Sequence, residues 1–292
     1  MSPAGGPPAA GGAGPFPRPP HHGAPVGFAT IHGKDLVVGA VLAGIGLRVV
    51  AVPFDTDSLG TFSGEVERTA SPIEVVRTKA TAGAAAVGRL GLGSEGTFAP
   101  DPVLPLTLDT EIVGILDADS GVLVVGRATA PAPWAVTATF TDEPGDELDR
   151  LLGRAGFPDQ RMMVTSSGAD GVSATKDLSD PDDVRRAVSE RLRSGVRATV
   201  ASDLRADRSP GRRRVVESAA VDLVTRLSAV CGACGSAGVG PEDVERGLRC
   251  EWCDAPTDQV AVRIQRCPAC SADRRVLVDH PADPAHCPNC NP

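Results

Sequence analysis

Eight cysteines, all after residue 230 and all in Cys-x-x-Cys pairs, constrain this chain more than any other feature of it. The pairs are Cys231/Cys234, Cys250/Cys253, Cys267/Cys270 and Cys287/Cys290, separated by 15, 13 and 16 residues. Each pair puts two thiolates on one side of a tight turn, and two such turns complete a tetrahedral four-sulfur site. Four turns therefore predict two closed zinc sites. Disulfides fit poorly, because the N-terminus lacks the charged start and apolar centre of a secretory segment and no cysteine lies elsewhere. A redox role asks for one pair at a helix start, not four in a row. About sixty residues with few apolar side chains cannot hold a core, so the metals must supply stability on the order of 10 kcal/mol per site. Neighbouring turns (231/234 with 250/253, and 267/270 with 287/290) close the shortest loops and are the expected partners; interleaved and nested pairings are the alternatives. With no coordination position left open, the zincs are expected to be structural. Trp252 is expected to pack over a turn; if exposed, it would mark a partner surface instead.

The remainder of the chain has a different character. Met1 to Ala24 is almost all Pro, Gly and Ala, which predicts a disordered tail over residues 1–25. Adjacent His21 and His22 in such a tail read as no metal site. Residues 26–229 read as an α/β domain, and residues 230–292 as the zinc-binding domain, a small zinc-ribbon-type tail with two four-cysteine sites. Aromatic residues are only 3% of the chain and tyrosine is absent, so the core must be built from Val, Leu, Ile and Ala. A net charge of −8 argues against a general polyanion binder. Leu36 to Pro53 is apolar, but Arg48 and three glycines interrupt it, so it divides into a helix and a strand rather than a membrane span. A cytoplasmic protein is expected.

Strands are predicted at 26–30, 47–53, 135–140, 161–165 and 197–201, with a hairpin over 111–126 and a strand end at Glu95–Gly96. The run Lys34 to Ala43 predicts a helix with Leu36, Val37, Ala40, Val41 and Ala43 facing inward. Ser71, Pro72 and Glu74 open a second helix as N-cap, first-turn proline and third-position acid. It should run to about Val87 and bury Ile73, Val76, Ala80, Ala84 and Val87. Further helices are predicted over 145–155, 181–193 with Asp180 as cap, and 209–229. Alternating elements with some adjacent strands predict an α/β fold with a mixed sheet.

The stretch FATIHGKD, residues 28–35, is a strand running through a short loop into a helix, an arrangement that suits an anion. Gly33 gives the turn, His32 a switchable donor and Lys34 a fixed charge; a plain strand–helix connection is the competing reading. Glu95 is a lone carboxylate at the predicted strand end, where α/β proteins place ligands. Gly64 to Arg68 reads as a solvated edge at least as readily as a site. Lys79 reads first as a solvent lysine and second as a phosphate ligand. Arg205 and Arg208 precede a helix whose first turn holds Arg212, Arg213 and Arg214, cations that oppose the helix dipole. Either an anionic ligand offsets them, or Asp203, Asp207 and Glu217 do.

With these segments in hand, the chain resembles an uncharacterised bacterial family, a domain of unknown function. Its members join ATxHGKD (here Ala29 to Asp35), SEGxFxP (Ser94 to Pro100) and RAxRxP (Arg205 to Pro210) to a cysteine-paired tail ending in CNP (Cys290 to Pro292). That resemblance implies no activity. More distantly, the chain is similar to the inosine triphosphate pyrophosphatase fold, which includes the Maf-like and non-canonical nucleotide hydrolases. The likeness implies a nucleotide-like phosphorylated substrate, with Lys34, Lys79 and Arg205 or Arg208 on its phosphates. It also implies Mg²⁺, with Glu95 binding the metal or orienting water. The non-enzymatic alternative is a binding module or ligand sensor whose zinc tail contacts a protein or nucleic acid. That tail carries Arg246, Arg249, Arg263, Arg266, Arg274 and Arg275 but a single aromatic, Trp252, which favours nucleic acid little.

Overall fold

The computed structural model describes residues 23–61, 63–168 and 171–292. They form two compact units that part within one long helix, between Val224 and Thr225. Most of the Pro/Gly/Ala tail, with His21 and His22, lies outside the described residues, although Ala24 and Pro25 already belong to the first strand. Among the described residues no helix is long and apolar enough to cross a membrane.

The first unit contains two sheets. Strands β1 (Ala24–Ala29), β2 (Leu47–Val52), β3 (Leu90–Pro100), β4 (Thr107–Asp117) and β5 (Leu123–Pro131) form a sheet of order β2-β1-β3-β4-β5. Strand β1 pairs parallel with both neighbours, whereas β3, β4 and β5 run antiparallel, so the sheet is mixed as the alternating pattern predicts. Helix α1 (Lys34–Ala43) joins β1 to β2, and α2 (Pro72–Val87) precedes β3. The second sheet is antiparallel throughout, with β6 (Thr137–Phe140), β7 (Met162–Gly168), β8 (Gly171–Leu178) and β9 (Ala198–Ser202) in the order β6-β9-β7-β8. Its core is made by Leu148, Leu151 and Leu152 of α3 (Asp146–Ala155) and Val184 and Val188 of α4 (Pro181–Arg193), packed against Met162, Val164 and Val200. Strand β8 was not predicted, because GVSATKDL offers little apolar surface and every second residue is exposed. Helix α5 (Pro210–Ser228) follows β9.

Helix α2 shows how sequence sets the packing that later positions the site. Its capping box forms: the Ser71 N–H donates to Glu74 Oε2 at 2.8 Å, and the Glu74 N–H donates to Ser71 Oγ at 3.4 Å. The helix then lies unusually close to the sheet. A side chain on Gly27, Gly91 or Gly93 would collide with the backbone of Gly83, Ala80 or Val76. Val76, Ala80 and Ala84 are buried as expected, while Ile73 and Val87 are only half-buried, and Lys79 faces inward, 7% exposed, where a solvent lysine was the first reading. Helix α1 also differs from expectation. Its buried stripe is Lys34, Val38 and Leu42, spaced four apart, and Leu36 is 76% exposed. The continuous apolar composition of the helix disguised which face turns inward, and that face begins with a lysine.

The second unit contains β10 (Gly240–Arg246), β11 (Val260–Arg266) and β12 (Asp273–Leu277), an antiparallel sheet in that order. The zinc-ribbon-type tail expected from the cysteine turns did not specify these three strands or their order.

Candidate functional site

The eight cysteines gather as two groups of four, Cys231, Cys234, Cys267 and Cys270, and Cys250, Cys253, Cys287 and Cys290. All eight are free thiols, which leaves the disulfide reading without support. Within each group the sulfurs lie within 4.8 Å of one another, at 3.8 Å for Cys231–Cys270, 3.7 Å for Cys234–Cys267, 3.9 Å for Cys250–Cys290 and 3.6 Å for Cys253–Cys287. Four sulfurs around a tetrahedral zinc, at about 2.3 Å each, stand roughly 3.8 Å apart, so both groups have the dimensions of a four-thiolate metal site.

The pairing is interleaved, which corrects the expected joining of neighbouring turns. Gly240 is in register with Arg266, so the turn ahead of β10 lies beside the turn after β11. At the opposite end, Cys250 bridges Ala282, which draws together the turn after β10 and the one after β12. Interleaving roughly doubles each closed loop, but a doubling adds only about 0.6 kcal/mol of chain entropy. Ladder hydrogen bonds of three strands outweigh that easily. Trp252 does not pack over a turn; it is 77% exposed.

The first unit holds the other candidate site, a cleft with about 70 Å³ of free space, enough for a phosphoryl-sized group or several waters. Its lining includes His32, Lys34, Asp57, Arg68, Lys79, Glu95, Lys176, Asp203, Arg205 and Arg212. Lys34, Lys79, Glu95 and Arg205, four residues from four separate stretches of sequence, therefore do face one cleft. Gly33 sits just behind, with φ 66°, as the N-cap of α1. Arg208 is elsewhere, paired with Asp177 at 2.9 Å and Asp207 at 3.6 Å. The short helical turn at 206–208 separates the two arginines.

Two carboxylates organise the cations. Glu95 lies mid-strand in β3 rather than at a strand end, because β3 continues to Pro100. It binds Lys79 through Oε2 at 2.7 Å and Arg68 through Oε1 at 3.2 Å, while Lys79 also donates to the Ser94 carbonyl at 3.2 Å. The close approach of α2 to the sheet is what lets Lys79 reach them. Glu111, on β4 and fully buried, binds Lys34 through Oε2 at 3.0 Å and Arg212 through Oε1. Gly96 lies opposite Glu111 in the β3–β4 register, and any side chain there would collide with Glu111 and Arg212. The glycine of the SEG segment thus makes room for the ion pair.

Burial opposes ionisation of both acids, yet the surrounding cations outweigh it. Lys79, Lys34 and Arg68 hold the Glu95 carboxyl below its ordinary range. Arg212 and Lys34 do the same for Glu111. Burial, reinforced by Arg212, pushes the Lys34 ammonium down to about 8. His32 lies 3.5 Å from Asp57, and burial lowers its pKa in spite of Asp207 and Asp57.

The helix-start arginines resolve unequally. Arg212 is buried against Glu111 and donates to the Leu204 carbonyl, whereas Arg213 and Arg214 are exposed. Neither Asp203 nor Glu217 supplies the counter-charge for Arg212: Asp203 is held by Arg205, and the partner comes from β4, about a hundred residues earlier. Glu111 is the residue that sequence reasoning missed. A signal existed: Asp109, Glu111, Val113, Ile115 and Asp117 share one parity of β4, and all are buried. Acids on the core-facing parity of a strand mark a buried ionic cluster.

Residues 81–292 match the family described as a domain of unknown function (DUF6671), and the chain belongs to that family. The matched span takes in Glu95, Glu111, Arg205, Arg212 and every cysteine. No curated protein and no solved structure matches the chain.

Proposed function

We propose that the cleft of the first unit binds a small phosphorylated molecule and that each cysteine group holds a structural zinc. One observation carries the first reading. Lys34, Arg68, Lys79 and Arg212 line a single cavity, and the carboxylates of Glu95 and Glu111 bridge them in pairs. Gathering cations around a partly desolvated cavity is costly, and an anion bound there would offset part of that cost. The uncapped N-terminus of α1, next to His32 and Lys34, adds backbone N–H groups on the same side. Calorimetric titration with pyrophosphate tests this. Wild-type protein should bind, and Lys34→Met should bind at least tenfold more weakly; equal affinity in the two ends the reading.

A nucleotide-hydrolase reading is favoured by the convergence of Lys34, Lys79, Glu95 and Arg205, the set implied by the inosine triphosphate pyrophosphatase likeness. Mg²⁺ would stabilise charge developing on the phosphoryl oxygens. Both oxygens of Glu95 are already engaged by cations, and among the described residues the groups able to hold a metal are cysteines. The chain's own side chains thus fit the phosphates better than they fit a resident Mg²⁺. Pyrophosphate or phosphate release from nucleoside triphosphates, in wild type but not in Glu95→Gln, would establish the hydrolase; release absent from both leaves a binding module. Exposed Trp252 supports a protein partner for the zinc-bearing unit.

A further inference from the structure

Behind the cations of the cleft lies an acid to which the anion-binding reading gives no role. Asp109 has no exposed surface, and neither of its carboxylate oxygens has a hydrogen-bond partner. It sits two residues before Glu111 on the same face of β4. Its cross-strand neighbours, Phe98 on β3 and Ala130 on β5, are uncharged. The charged groups that act on it are Glu111 of β4, Arg212 of α5 and Lys34 of α1, and the two cations already share Glu111. An ionised carboxylate at such depth, without a hydrogen bond and beside a second carboxylate, is strongly disfavoured against its protonated form.

We infer that Asp109 sets the charge of the cleft: by retaining a proton it leaves Lys34 and Arg212 available to an anionic ligand, and anion binding is linked to protonation of Asp109. The inference rests on the anion-binding reading above. A neutral Asp109 adds no charge beside Lys34 and Arg212, which Glu111 bridges. An ionised Asp109 would add a negative charge beside the same cations and weaken their hold on an anion. Burial first and Glu111 second push the Asp109 carboxyl up to about 7, against the pull of Arg212 and Lys34, so the change falls near neutral pH. The ligand class is the phosphoryl group of the anion-binding reading, for which sulfate can stand in.

Sulfate is the suitable probe, because it is a dianion throughout the range and adds no titration of its own. Its dissociation constant is measured calorimetrically on the full chain from pH 6 to 8.5, in wild type and Asp109→Asn. Wild-type affinity should fall above pH 7, by up to about tenfold per pH unit. Asp109→Asn should keep its low-pH affinity through pH 7.5. Lys34 weakens binding in both proteins near its value of about 8, so the Asp109 contribution is the gap between the curves. Superimposable curves overturn the role of Asp109 and leave the anion cleft standing; no sulfate binding by either protein at any pH overturns both. A second measurement needs no ligand. The folded-state pKa lies above the ordinary 3.8, so the folded chain holds the extra proton between about pH 4 and 7 and loses stability as pH rises through that window. Asp109→Asn does not share that loss. Its Tm advantage should widen from pH 4 to 7 and stay level above; an advantage that ignores pH overturns the inference as well.

Discussion

The two candidate sites solve the same electrostatic problem in opposite ways. In the second unit each group gathers four cysteine sulfurs, a set that a cation from outside could join, with backbone N–H groups and Ser236 donating to some of the sulfurs. In the first unit, cations are gathered around the cleft and the chain itself supplies part of the counter-charge, through Glu95 and Glu111. One site has the composition of a ligand set for an ion. The other is pre-assembled, with a residual charge that a ligand can use. The second unit should therefore lose its fold without its ligand, whereas the first should fold without one and gain stability when an anion binds.

Removing metal gives the largest expected effect. Chelation should unfold the second unit, with a loss on the order of 10 kcal/mol per site, seen as disappearance of its β-sheet signal while the first unit keeps its own. The interleaved arrangement makes a sharper test possible. Cys231→Ser with Cys267→Ser strikes one group twice, so bound zinc should fall from two per chain to one. Cys231→Ser with Cys250→Ser strikes both groups and should abolish zinc binding. Elemental analysis that returned the reverse pattern would restore the neighbouring-turn arrangement.

In the first unit the corresponding experiment is removal of an internal counter-charge. Glu111→Ala would leave Lys34 and Arg212 buried without their shared acid, at about 3–5 kcal/mol in denaturant unfolding. Glu111→Gln retains the shape and hydrogen-bonding capacity, so it should lose less. Added sulfate should recover part of the loss in Glu111→Gln, because an external anion can replace the missing charge. Loss of stability below about 1 kcal/mol in Glu111→Ala would mean that the cluster is hydrated and that the contrast between the two units is weaker than drawn.

The same contrast explains what could be read in advance. A site whose partner is an ion must display its whole ligand set in the chain, and the four Cys-x-x-Cys pairs did so. Their interleaving was illegible because it follows from the β10-β11-β12 ladder, whose strands carry mostly exposed polar residues. Capping residues made α2 and α4 readable to within a residue. Lys34, Glu95 and Arg205 could be nominated because each stands in a turn, cap or strand segment with a local signature, whereas mid-helix Lys79 was favoured only by the hydrolase resemblance. Glu111 has none: its partners lie 77 and 101 residues away, and only the strand parity it shares with Val113 and Ile115 sets it apart. Inward orientation of Lys34 and Lys79 was likewise decided by tertiary packing, by the sheet under α1 and by glycines that admit α2.

The smallest effects separate residues that sequence treated alike. Arg205 and Arg208 stand three apart before α5 and were equal candidates for the phosphate. Arg205 lines the cleft, held at Asp203 by paired hydrogen bonds that include Nε to Oδ1 at 2.9 Å, so the carboxylate aims it without leaving the site. Arg208 spends its charge on Asp177 and Asp207. Arg205→Ala should weaken pyrophosphate binding by about fivefold to tenfold, the value of one charge-assisted hydrogen bond that is partly solvated. Arg208→Ala should change it by less than about twofold, since exposed ion pairs contribute little at that distance from the ligand. Titrations showing equal losses for the two would mean that the cleft extends past the turn at 206–208, and that the fixed, internally aimed cation is not what distinguishes this site.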